Sequence, residues 1–192
     1  MAFLIKSLAV LCVGTLVGLA ITFLTLESGT GFGAVRAGPW IGWPQEGLAT
    51  LDPYSRARLA RTHELPLGAS EGLSFVAAGD DSEARFDPTC DYIVTGNVPR
   101  ARYWTLTLLS PDGFPIANAA ERYGFTSTEI LRAADGTFQI VLSRQARAGN
   151  WLPIGNTDAF VLVLRLYDTE LHAGTDVIEA KDLPRILEGP CR

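Results

Sequence analysis

"AFVLVLRLY", Ala159–Tyr167, is the stretch from which the fold is read. Arg165 is its only charged residue, and apolar side chains otherwise run almost without a break. A strand with one wet face alternates apolar and polar residues, whereas a strand covered on both faces does not. The run is also short for a helix, and four of its nine residues are β-branched or aromatic. It therefore reads as a central strand of a sheet, buried on both sides.

The neighbouring sequence supplies partners for it. "LSFVAAGD" (Leu73–Asp80), "DYIVTG" (Asp91–Gly96), "RYWTLTLL" (Arg102–Leu109) and "TFQIVLS" (Thr137–Ser143) are rich in β-branched and aromatic residues. Each is bounded by Gly, Pro, Asp or Asn, the residues that end strands. "SPDGFP" at 110–115 and "AADG" at 133–136 read as hairpin-type turns in which glycine supplies a positive φ. A shorter strand, "STEILR" at 127–132, is expected to pair with 137–143 across the second turn. Strands at this spacing, with no long helix between them, predict an antiparallel β-sandwich or barrel-like domain.

One short helix precedes the strands. In "LDPYSRARLARTHELPLG", Asp52 is placed as the N-cap, Pro53 as the first helical residue, and Pro66 stops any continuation beyond His63. Arg56, Arg58 and Arg61 give this helix a basic face, suited to anionic headgroups, an acidic partner or plain solvent. Between this helix and the amino terminus lies "GPWIGWPQEG", whose Trp40 and Trp43 read as a packed entry to the domain or as headgroup-level aromatics.

The amino-terminal region has a different character. "SLAVLCVGTLVGLAITFLTL", Ser7–Leu26, has no charged residue and is long enough as a helix to cross the hydrocarbon core of about 30 Å. A secretory signal has a shorter apolar region, about 7–15 residues, and the nearest passable cleavage site, Val35-Arg36-Ala37, lies well beyond this one. The segment is read as an uncleaved anchor. With Lys6 on the short side, the positive-inside rule puts residues 1–6 in the cytoplasm, 7–26 across the inner membrane and the remainder in the periplasm of a bacterium. Residues 27–38, "ESGTGFGAVRAG", form a flexible linker, and 39–192 form the β-rich domain.

Cys12 falls inside the apolar segment, without the preceding small residues of a lipoprotein signal, and is read as filler. Cys90 and Cys191 both fall in the part expected to face an oxidising compartment. They are candidates for a disulfide that pins the tail "DVIEAKDLPRILEGPCR" as an extended segment laid over the sandwich; two unpaired buried thiols are the alternative. Neither belongs to a CxxC pair, so zinc or redox roles lack material.

Composition narrows function further. The formal net charge is -5 with no run of Lys or Arg, which argues against a nucleic-acid partner. Two histidines leave little for a His-rich metal site or a His-based triad.

Taken together in order, "DPYSRARLAR", "LPLGASEGLSFVA", "CDYIVTG", "ARYWTLTLLSPDG", "ADGTFQIVLS", "NWLPIG" and "FVLVLRLY" resemble the bacterial family called domain of unknown function 1214, over roughly residues 38–190. The family's members include small single-span inner-membrane proteins, and larger relatives pair the domain with a second one. The resemblance implies a fold and a location; it implies no catalytic residues, because the family's activity is not established.

Three constellations are candidates for a site. Asp80, Asp81, Glu83 and Asp87 in "GDDSEARFDP" cluster carboxylates that suit Ca²⁺ or acid–base work, although their spacing does not fit a calcium loop and a solvated loop is the simpler account. His63 with Glu64, and His172 with Glu170, form a second set if the two meet in space. The third is "GNWLPIG", Gly149–Gly155, with its aromatic company. Trp151, Asn150, Arg165 and Tyr167, with Tyr103, Trp104 and Tyr123 nearby in kind, suit stacking on a sugar or other planar ligand. In the competing account Trp104 is core and Trp151 plugs one end of the sandwich. The resulting expectation is a membrane-anchored envelope protein, most simply a binding or interaction module for a protein or glycan, without a cofactor. A ligand-binding sandwich using the Trp151 region and a hydrolase or lyase using Asp80–Asp87 are the alternatives.

Overall fold

The computed structural model describes residues 2–27, 33–48, 51–62, 66–68, 70–171 and 178–191. The chain begins with helix α1 (Ala2–Glu27), of which Ala2–Thr25 is long and apolar enough to cross a membrane. Its large apolar side chains point outward, with Phe3 at 80% and Leu11 at 66% exposure. By length and composition such a helix suits a membrane span or a signal sequence. The strands β1 (Val35–Ala37) and β2 (Trp40–Gly42) follow, then helix α2 (Pro53–Thr62). Asp52 caps α2 as expected: its carboxylate accepts the amides of Tyr54 and Ser55 at 2.9 and 3.1 Å. The Ser55 hydroxyl bonds the same carboxylate, and these contacts hold the Asp52 pKa below its ordinary value.

Eight further strands complete the domain: β3 (Gly72–Ala77), β4 (Cys90–Gly96), β5 (Ala101–Leu109), β6 (Gly124–Thr126), β7 (Phe138–Ser143), β8 (Asn150–Pro153), β9 (Val161–Thr169) and β10 (Arg185–Cys191). They form two sheets, one in the order β1-β2-β3-β9-β5-β6 and the other β10-β4-β7-β8. The inward side chains of both sheets meet in one core that includes Phe75, Leu106, Leu164, Tyr92, Ile140 and Leu142. Trp104 of β5 stacks on Phe138 of β7 with ring centroids 5.1 Å apart, joining the sheets at one end. Phe86, Tyr92 and Phe160 form a second aromatic cluster, with Phe86 and Phe160 stacked at 4.7 Å. Trp40 is fully buried and donates its indole N–H to Pro184 O at 2.7 Å, which settles its role as packing.

β9 is central, hydrogen-bonded to β3 on one side and β5 on the other. Leu162, Leu164 and Leu166 face the core, and Val163 on the opposite face is also buried. The nearly continuous apolar run at Ala159–Tyr167 follows from this central position, although Val161, Arg165 and Tyr167 on the outer face are only half-buried.

Three expectations are corrected. Residues 127–132 form no strand; only an isolated bridge, Arg132↔Phe138, remains of the expected hairpin. Thr126 and Glu129 bend the chain there, with the Glu129 carboxylate accepting the Thr126 amide and hydroxyl. The strand in this region is the three-residue β6 just upstream, and it pairs with β5 rather than with 137–143. Second, "NWLP" is strand β8, and it pairs parallel to β7 with Ile140 opposite Asn150. Parallel neighbours ordinarily need a crossover of a dozen residues or more, yet residues 144–149 suffice here because β8 is only four residues long. Third, the tail is an integral strand, β10, paired antiparallel with β4 rather than laid over the sandwich. The disulfide Cys90–Cys191 closes at the far end of that pair, with 101 residues of sequence separation.

Candidate functional site

The acidic loop is folded tightly on itself. Asp80 is buried and its Oδ1 accepts the Ser82 amide, the Ser82 hydroxyl and the Ala84 amide. Asp81 accepts the Ile186 amide at 2.9 Å and the Arg185 guanidinium at 2.8 Å, and its own amide bonds Ile186 O. It thereby covers the outer edge of β10, where unpaired strand groups would otherwise invite another chain. Asp87 caps the turn to β4, its carboxylate accepting the Thr89 amide and hydroxyl, which lower its pKa. The loop's aspartates therefore hold the fold, and the acid–base reading has little left to use. His63, Glu64 and His172 lie outside the described residues.

The set drawn from the opening of β8 divides between the two sheets. Asn150 is buried, and its amide is fully engaged by backbone: Oδ1 accepts Leu131 N, and Nδ2 donates to Leu131 O and Gln139 O, at 2.8, 2.8 and 2.9 Å. It acts as a substitute strand partner for Leu131. Trp151 faces away from the core beside Val141, half-buried, with its indole N–H donated to Ser143 O at 3.0 Å. Its carbonyl accepts Arg122 Nη1 at 3.0 Å. The tryptophan expected to plug an end of the sandwich lies instead on the outer side of an edge strand. Gly149 and Gly155 both have positive φ, +80 and +75, as the bracketing glycines suggest.

Arg165 and Tyr167 are on β9, and alternation puts them on the outer face of the six-stranded sheet. They cannot share a site with Trp151, because the core separates the two outer faces. Around Arg165 the register assembles a different set. Ser74 of β3 and Thr105 of β5 are its direct cross-strand neighbours, and Thr126 lies beyond Thr105. Two residues along, Tyr167 is opposite Tyr103, with ring centroids 5.9 Å apart. Ser74 Oγ and Arg165 Nε are both withdrawn from solvent and have no hydrogen-bond partner. A carboxylate beside Arg165 would have closed an internal ion pair; two hydroxyl residues stand there instead.

Ser74 and Thr105 were not anticipated. Period-2 alternation in "LSFVA", "RYWTLTLL" and "VLVLRLY" assigns each of them to an outer face, but only the register brings them to Arg165.

A family model described as "Protein of unknown function (DUF1214)" matches residues 71–171. The chain belongs to this family. The matched span runs from the start of β3 to the end of β9, so the face around Arg165 lies wholly within the DUF1214 region. The fold is similar to that of the VPA0106 protein of Vibrio parahaemolyticus, with a TM-score of 0.56 at 17% identity over 72% of this chain and 36% of that one. An uncharacterised protein from Burkholderia cenocepacia aligns at a TM-score of 0.42 and 21% identity, over 91% of this chain and 50% of that one. The DUF1214 chain thus spans about a third to a half of the length of these proteins. No curated protein matches it in sequence.

Proposed function

We propose that this DUF1214 chain is a single-span envelope protein that binds an acidic saccharide on the outer face of its six-stranded sheet. The anchor is α1, with the N-terminus in the cytoplasm and the sandwich on the periplasmic side of the inner membrane. Lys6 before the apolar run and the disulfide Cys90–Cys191 support that placement.

The binding reading rests on one observation, the unengaged polar atoms of Arg165 and Ser74 at neighbouring positions. Both atoms are already out of water, so a ligand group that reached them would meet little further desolvation on the protein side. A guanidinium takes carboxylate or phosphate in a bidentate fork, and Tyr103 and Tyr167 offer ring faces to a sugar.

Isothermal titration of the full chain in detergent tests this with an oligogalacturonate against a neutral chito-oligosaccharide. Saturable binding of the acidic ligand is expected, weakened about tenfold or more by Arg165→Gln, the loss of charge-assisted hydrogen bonds. Trp151→Phe should leave the affinity unchanged. Equal binding of both sugars, or an Arg165→Gln variant that binds like the parent, would refute the assignment.

A further inference from the structure

Helix α2 has a surface that the sheet-face site does not use. We infer that α2 is an interfacial foot that lies on anionic phospholipid headgroups where α1 leaves the bilayer. This rests on the anchor reading of α1.

Position comes first. Every described side chain of α1 from Ala2 to Ile21 is exposed, and only Thr22 and Thr25 lose part of their exposure. α2 is in contact with α1. The contact therefore falls at the carboxyl end of the apolar segment, and a bilayer that holds Ala2–Thr25 brings α2 to headgroup level.

Chemistry comes second. α2, "PYSRARLART", carries three arginines and no acid over ten residues. Ser55 is buried and Leu59 half-buried, on one side of the helix, whereas Pro53, Tyr54, Arg56, Ala60 and Arg61 are exposed. At 100° per residue, Arg56 and Arg61 flank a small apolar strip of Pro53, Ala57 and Ala60, with Tyr54 beside Arg61. Small residues that let the helix lie close, arginines at the borders and a tyrosine suit the phosphate level of a membrane.

Charge distribution supports the same occupant. On the α2 side of the apolar segment, residues 27–62 contain four basic and three acidic residues, whereas 63–192 contain eleven basic and eighteen acidic. An anionic surface would attract the α2 end and repel the sandwich, so the domain stands off the membrane on this helix. Each arginine that reaches such a surface contributes about a fivefold preference before screening.

The test is amide hydrogen exchange on the full chain in liposomes of phosphatidylcholine alone or with one-third phosphatidylglycerol. Exchange in 53–62 should be about tenfold slower or more in the anionic vesicles. The difference should vanish at 0.5 M salt, where screening shortens to about 4 Å. Arg56→Gln, Arg58→Gln and Arg61→Gln combined should exchange alike in both vesicles. Equal exchange of wild-type α2 in the two compositions, with α1 protected in both, would overturn the inference and leave the anchor standing. Unprotected α1 in either vesicle would overturn the anchor reading and this one with it.

Discussion

Replacing Asn150 by Ala is the sharpest probe of how the β8 region is built. The side chain is 7% exposed and makes three hydrogen bonds to backbone, at 2.8, 2.8 and 2.9 Å. Truncation strands Leu131 N–H and removes one donor contact each from Leu131 O and Gln139 O. A stranded buried polar group costs about 1–3 kcal/mol. The Leu131 side chain is 66% exposed, so water can reach part of that backbone and the lower half of the range applies. One stranded donor and two weakened acceptors give about 3 kcal/mol. With an m-value of about 2 kcal/mol/M, the urea midpoint of the full chain in detergent should fall by about 1.5 M. Tryptophan fluorescence follows the transition, and exchange of the Leu131 amide should quicken in parallel. Asn150→Asp retains the acceptor for Leu131 N but sets carboxylate oxygen against two carbonyls, so it should be no milder. A midpoint drop below about 0.25 M for Asn150→Ala, about 0.5 kcal/mol, would refute the structural role and return Asn150 to the ligand-binding candidates.

Asp81→Ala should uncover the β10 edge and produce concentration-dependent self-association in sedimentation velocity. Asp81→Asn, which keeps an acceptor for Ile186 N–H, should stay closer to the parent. Gly155→Ala should destabilise by about 3 kcal/mol, because a Cβ there would sit 2.8 Å from Ala117 O at a φ of +75. Gly149→Ala, at a φ of +80 but with open space around it, should cost only about 1 kcal/mol in the same melts. Asp52, Asp87 and Asp135 all have lowered pKa values, chiefly through hydrogen bonds from Ser55, Thr89 and Thr137. Their contribution is therefore fully present above the ordinary value of 3.8 and is lost as pH falls through their folded values, so thermal midpoints should drop below about pH 4. Burial raises the Tyr92 pKa, so the opposite limb should fall as pH rises past 10.0, and Tyr92→Phe should flatten that limb.

Much of the fold was legible because its signals are local. The Asp52-Pro53 start of α2, the turns at Gly113 and Gly136, and the central β9 each follow from residues close in sequence. The sequence misleads where a side chain takes a backbone partner's place. "STEILR" has strand-forming residues, yet the Asn150 amide occupies both backbone groups of Leu131, and no local pattern announces that. "NWLP" hides its strand for a related reason: four residues with a proline carry too little periodicity, and parallel pairing with β7 depends on a return path through residues 144–149.

The candidate site illustrates the same limit from the side of function. Arg165, Tyr167 and Trp151 were identifiable as residue types, but residue type does not decide whether an arginine within a sheet is structural. Its two cross-strand neighbours do. With Asp or Glu at position 74 or 105, Arg165 would be neutralised within the fold and carry no ligand. With Ser74 and Thr105 there, the hydroxyls can bond a ligand alongside the guanidinium but cannot balance its charge. The proposed acidic ligand would supply that balance from outside the chain. The same register excludes Trp151, whose place on the other sheet puts the whole core between it and Arg165. In the proposed site the aromatic faces beside Arg165 would therefore be those of Tyr103 and Tyr167.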